Sequence, residues 1–227
     1  MTNPTIAFIR ETGYLTDADV SAFVAAQQVQ LDKDFAPLWG LGATCVFVPP
    51  EHVIPPGAWQ VILLDHTDQA QASGYHDDTG PGGEPRSKVF IADIKADGSS
   101  WTVTTSHETL EMIGDPTINK SVTFDGWVYA WENCDACEDD HFGYRINGLL
   151  MSAFVLPSWF DPSGKAPFTF PVIPSIDAPF KLAEGGYIGR RQWPSGPWSQ
   201  LMADGAPGVR ALHKKPSSRT IRRFGGS

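Results

Sequence analysis

Residues 106–116 read Ser-His-Glu-Thr-Leu-Glu-Met-Ile-Gly-Asp-Pro. On a helix, His107 and Glu111 are four residues apart and project within about 40° of each other on one face. HExxH helices use this spacing to offer zinc two ligands. Glu108, about 100° further round, is then placed as a general base toward a water. Glu111 stands where that pattern has its second histidine. A carboxylate binds zinc at about 2.0–2.2 Å, so the exchange does not forbid a site. It adds negative charge, which weakens the Lewis acid and shifts preference toward harder ions. Zinc is the first expected occupant, with calcium or no ion after it.

A third ligand must come from elsewhere. The carboxylates of Trp-Glu-Asn-Cys-Asp-Ala-Cys-Glu-Asp-Asp-His are the nearest supply, and Glu132 and Asp135 are the two preferred. Asp115, about 80° round the helix from His107, is another. Glu138, Asp139 and Asp140 complete the run, whose ordinary reading is a solvated turn. Cys134, Cys137 and His141 spell C-x-x-C-x-x-x-H, but a structural zinc wants four ligands and no fourth stands nearby. Buried or disulfide-paired structural cysteines fit that pair better. His76, in Gly-Tyr-His-Asp-Asp, is expected to be an exposed loop histidine, with a metal-side or substrate-side role as the alternative.

These residues need a frame. The chain has 227 residues, 41% of them hydrophobic and 19% charged, which suits a globular fold and excludes wholesale disorder and coiled coil. Thr5 to Arg10 reads as a strand, and Thr16 as the cap of a helix carrying Val20, Phe23, Val24, Gln27 and Leu31 at spacings of three and four. Ala43 to Val48, Trp59 to Asp65 and Lys88 to Ile94 are three more strands, the middle one apolar enough to be buried on both faces. Residues 66–87, rich in glycine, form a long loop. Ser99 or Ser100 caps a helix from about Trp101 to Gly114. Short strand-like pieces follow to Leu156. From Pro157 to Pro179 there are six prolines, which favour extended coil, and the aromatic residues beyond Pro157 suit either a docking surface or core filling. No apolar run is long enough to span a membrane, and the N-terminus lacks a signal-peptide layout.

A strand followed by an HExx(H/E) helix inside a β-α-β-β-β-α unit resembles the catalytic subdomain of zincin metallopeptidases. Gly114 occupies the glycine position of HExxHxxGxxH, while Thr117 stands where that pattern has its third ligand. A closer resemblance is to phage- and prophage-encoded proteins of about this size. It rests on Gly74 to Asp77, Ser106 to Pro116, Glu132 to Glu138 and Phe154 to Pro162, and spans roughly residues 55–190. That resemblance implies a zincin relative that occurs among virion structural genes.

The expected fold is therefore α+β: a zincin-like mixed sheet with two helices over residues 1–156, an irregular extension over 157–204 packed on it, and an extended basic tail over 205–227. Two functions stand against each other. The first is a virion structural protein on a degenerate metallopeptidase-like scaffold, docking to other virion subunits or to copies of itself. It would be made in the host cytoplasm. The second is an active metal-dependent peptidase, with a divalent ion on His107, Glu111 and a downstream carboxylate, and Glu108 as base. The tail carries Arg210, Lys214, Lys215, Arg219, Arg222 and Arg223 and no acid, against 11 basic and 26 acidic residues before it. It is expected to bind an acidic partner, a neighbouring subunit in preference to nucleic acid.

Overall fold

The computed structural model describes residues 3–68 and 73–203. The six basic residues expected to bind a partner, from Arg210 to Arg223, lie outside the described residues.

Strand β1 (Thr5–Glu11) leads to α1 (Asp17–Gln30), whose start is fixed by a capping box. The Thr16 N–H donates to Asp19 Oδ2 at 2.8 Å and the Asp19 N–H donates to Thr16 Oγ1 at 3.2 Å. A π-helical turn over Leu31–Phe35 and the short α2 (Ala36–Trp39) bring the chain to β2 (Thr44–Val48) and β3 (Trp59–Leu64). Next come β4 (Gly74–Asp77), β5 (Arg86–Phe90), α3 (Ile91–Ala96) and α4 (Trp101–Gly114).

These strands form one five-stranded sheet in the order β2-β1-β3-β5-β4. Its first four strands are parallel and β4 runs antiparallel along the edge. Side chains alternate across the sheet as a period of two requires. Ile6, Phe8, Val61, Leu63 and Val89 point into the main core beneath α1 and α4, with Phe23, Leu110 and Met112 opposite. Ala7, Ile9, Val48 and Ile62 face the other way onto a small apolar cluster. The fold is α+β, as the residue pattern implies.

Two details differ from the sequence reading. Ile62 and Leu64 are only half-buried, so β3 is not covered on both faces. The segment from Lys88 to Ile94 is a strand only as far as Phe90; its apolar run continues unbroken into α3, and periodicity cannot locate such a junction.

The second half of the chain builds a lid over α4. It comprises β6 (Ser121–Phe124), β7 (Trp127–Ala130), β8 (Tyr144–Ile146), β9 (Leu149–Met151), β10 (Phe154–Val155), β11 (Thr169–Phe170), β12 (Tyr187–Gln192) and β13 (Trp198–Met202). A four-stranded sheet runs β13-β12-β7-β6, so residues 187–202 are a regular hairpin inside the segment read as irregular. A second core made from Tyr129, Val155, Trp159, Phe160, Phe180 and Ile188 lies under it. Core filling is thus what several of the aromatic residues beyond Pro157 do. No helix among the described residues is long and apolar enough to cross a membrane.

Candidate metal centre

Helix α4 is buried along nearly its whole length, between the five-stranded sheet and the lid. A helix buried on all sides is normally apolar. This one buries His107, Glu108 and Glu111, all less than a tenth exposed. Three polar side chains in such a place require partners.

The partners come from two directions. From the sheet side, β4 presents His76, whose Nδ1 lies 3.5 Å from Glu108 Oε2 and 4.0 Å from Glu111 Oε2. Strand and helix approach so closely because residue 74 is glycine: a Cβ there would lie 2.9 Å from Glu108 Cγ. From the lid side, the 3-10 turn Asp135–Cys137 presents Asp135, whose Oδ1 lies 3.3 Å from His107 Nε2. Glu111 Oε2 is 3.2 Å from the same nitrogen. Two sets of donors result, each with its ligand atoms within 4.8 Å of one another: His76, Glu108 and Glu111, and His107, Asp135 and Glu138.

Residues 132–137 of the acidic segment are no solvated turn, whereas Glu138, Asp139 and Asp140 are part-exposed. Glu132, Asn133, Cys134, Asp135, Ala136 and Cys137 are all buried. Asn133 Nδ2 donates to the Leu110 carbonyl at 2.9 Å, caring for the end of α4, and a Cβ at residue 114 would lie 2.6 Å from that nitrogen. Gly114 is thus required for Asn133 to reach the helix. The Cys134 N–H donates to Glu111 Oε1 at 3.2 Å, and the Ala183 N–H to the Ala136 carbonyl at 2.9 Å.

Charge in this space is unbalanced. Glu132 is driven well above the usual carboxylate range by burial first, then by Glu111, Asp135 and Glu108 around it. Asp135 moves the same way, by burial and by Glu111. Burial alone would lower His107, but the Glu111 and Asp135 carboxylates beside it hold it well above an ordinary histidine. Glu111, for which burial acts upward, is kept below its usual value by His107 and then His76. Glu108 Oε2, Glu111 Oε2 and both Asp135 oxygens accept no hydrogen bond of ordinary geometry.

Of the residues singled out in the sequence, His107, Glu108, Glu111 and Asp135 converge, with Glu132 close enough to act on them electrostatically. Asp115 does not join them. Its two oxygens accept the Asn119 and Lys120 backbone N–H groups at 3.1 and 2.9 Å, so it shapes the turn after α4 and belongs to neither donor set. Cys134 and Cys137 are buried free thiols. His141 is mostly exposed and pairs with Asp139 at 2.9 Å, so the C-x-x-C-x-x-x-H residues make no site among the described residues. His76 departs furthest from expectation. It is 1% exposed and sits on a strand inside the segment read as a loop. Its flanking Gly74 and the pairing of Asp77 with Arg86 across β4 and β5, at 3.1 Å, are the signals that mark that strand.

The sequence matches no protein-family model, no curated protein and no solved structure. The site's chemistry therefore rests on its own geometry.

Proposed function

We propose that the protein is a metal-dependent hydrolase with a divalent cation held beside His107 by Asp135, Glu138 and Glu111 and with Glu108 as proton acceptor. The observation that supports this is the set of buried carboxylate oxygens without ordinary hydrogen bonds, gathered around imidazole nitrogens at 3.2–3.5 Å. An uncompensated buried carboxylate costs several kcal/mol. A cation removes that cost and accepts these donor types at these spacings. The described residues thus fit a divalent ion.

When bound, such an ion supplies Lewis acidity toward a carbonyl and lowers the pKa of water. The protein's own residues supply the rest. Asp135 and Glu111 both face His107 Nε2, so these donors converge on one ring nitrogen. Glu108 would take a proton from water and return it to the leaving amine. The His107 and Glu108 side chains keep 10% and 7% exposure, so a substrate would approach from their side. Among the described residues β4 is the last strand of its sheet, and an extended peptide can add to such an edge by main-chain hydrogen bonds. A peptide bond is therefore the proposed target.

Near-complete burial of the centre favours a second reading, in which the cation staples a virion subunit and turns nothing over. Replacement of Glu108, read beside the metal content of the variant, separates the two. Glu108→Gln keeps the side chain's size and removes the base, and hydrolysis should fall by about 10² or more. Equal rates for wild type and variant, or no turnover of peptide, ester or cell-wall substrates by wild type with added metal, would leave the structural reading.

A further inference from the structure

We propose that the centre holds two divalent cations, the second on His76, Glu108 and Glu111, with Glu111 bridging them. This rests on the metal reading above and goes beyond it in number of ions, ligand set and the part played by Glu108.

Geometry provides the first argument. His76 Nδ1 lies 3.5 Å from Glu108 Oε2 and 4.0 Å from Glu111 Oε2, and the three ligand atoms fall within 4.8 Å of one another. Donors around one cation with bonds of about 2.0–2.2 Å are spaced by about 3–4.4 Å, so the set closes with small side-chain movements. Glu111 Oε2 also lies 3.2 Å from His107 Nε2, on the other donor set. One oxygen, Oε2, therefore faces both imidazoles while Oε1 accepts the Cys134 N–H, so a bridge between two ions would run through Oε2.

The second argument is charge. Glu108, Glu111, Glu132 and Asp135 are all at least 95% buried. Glu108 and Glu111 lie beside His76, and Asp135 lies beside His107, so one cation on His107 would leave the Glu108 oxygen that faces His76 without a counter-ion. Burial of Glu108 Oε2 and Glu111 Oε2 without an ordinary hydrogen bond points independently to a ligand between them and β4.

The third argument is the cradle. Gly74 lets β4 press against Glu108, since any side chain there would displace the carboxylate. Glu108 Oε1 turns toward Gly74, and Oε2 toward His76. Oε2 is then the ligand atom, and Oε1 stays available to a proton. The donors, mostly carboxylate with one imidazole for each ion, suit zinc or manganese.

The test is a metal count on the full chain, stripped with chelator and dialysed in parallel against Mn²⁺ and Zn²⁺. Two ions per chain are expected, and the manganese form should show the broadened paramagnetic resonance of two coupled ions. His76→Ala should bind one ion and give the six-line signal of isolated manganese. One ion per wild-type chain with either metal would overturn the second site and leave the first; none would overturn both. Two ions retained in His76→Ala would overturn the placement. The wild-type count and spectrum need no variant, so a misfolded His76→Ala would not shelter the proposal.

Discussion

Metal-free protein should gain about 10 °C in thermal midpoint when zinc is added at about 1,000 times its dissociation constant. That excess contributes about 4 kcal/mol to the folded state, and each kcal/mol moves the midpoint of a chain this size by about 2–4 °C. The gain should grow with pH. Glu132 and Asp135 are held above their ordinary values of 4.5 and 3.8, so the folded chain keeps protons that the unfolded chain releases. Stability without metal therefore falls as pH rises from about 4 through the folded values. His107, held above 6.5, adds in the same direction: its contribution is intact below 6.5 and is lost as pH rises through its folded value. Glu111, held below 4.5, acts oppositely, its contribution being lost only as pH falls. Three groups against one make the metal-free protein less stable at pH 8 than at pH 5, by on the order of 5 °C. A cation replaces the bound protons, so the loaded protein should show little of this slope. Differential scanning calorimetry at the two pH values, with and without zinc, measures both effects. An unchanged midpoint on addition of zinc, Mn²⁺ or Ca²⁺ would count against any metal centre.

Glu111→Gln should weaken cation binding by about 100-fold or more, the largest loss expected from one substitution. Glu111 is the only residue whose carboxylate faces both His107 and His76 among the described ion pairs. The amide keeps an oxygen for the Cys134 N–H, now 3.2 Å from Glu111 Oε1, so the fold should persist. Asp115→Asn makes the contrast. Its oxygens hold two backbone N–H groups and no donor set, so it should cost about 1–3 kcal/mol of stability and leave cation affinity unchanged. Titration calorimetry separates the two. Equal affinities for Glu111→Gln and wild type would remove Glu111 from the centre.

Much of the arrangement was legible in the residues. α4 runs from Trp101 to Gly114, with Ser100 at its N-cap position though without a side-chain cap bond and with Asp115 at its C-cap before Pro116, and the four-residue spacing of His107 and Glu111 does put both on one face. Asp135 and Glu132 come from the segment that the need for a third ligand points to. His76 escaped because a four-residue strand in a glycine-rich stretch has too few side chains to show a period of two, and its neighbours suggest a loop. Burial of the 132–137 segment depends on the lid, above all on the Asn133 bond to Leu110 and the Ala183 bond to Ala136, which link residues far apart in sequence. Local composition carries no trace of such pairings. The β12–β13 hairpin was hidden by the prolines before it, although Pro194 and Gly196 mark its turn.

X-ray absorption at the zinc edge of the zinc-loaded full chain tests the centre most directly. The expected spectrum has a first shell of nitrogen and oxygen alone at about 2.0–2.2 Å, with the outer-shell scattering of imidazole. A sulfur scatterer at about 2.3 Å would place the metal on Cys134 and Cys137 and contradict the His107, Glu111 and Asp135 site.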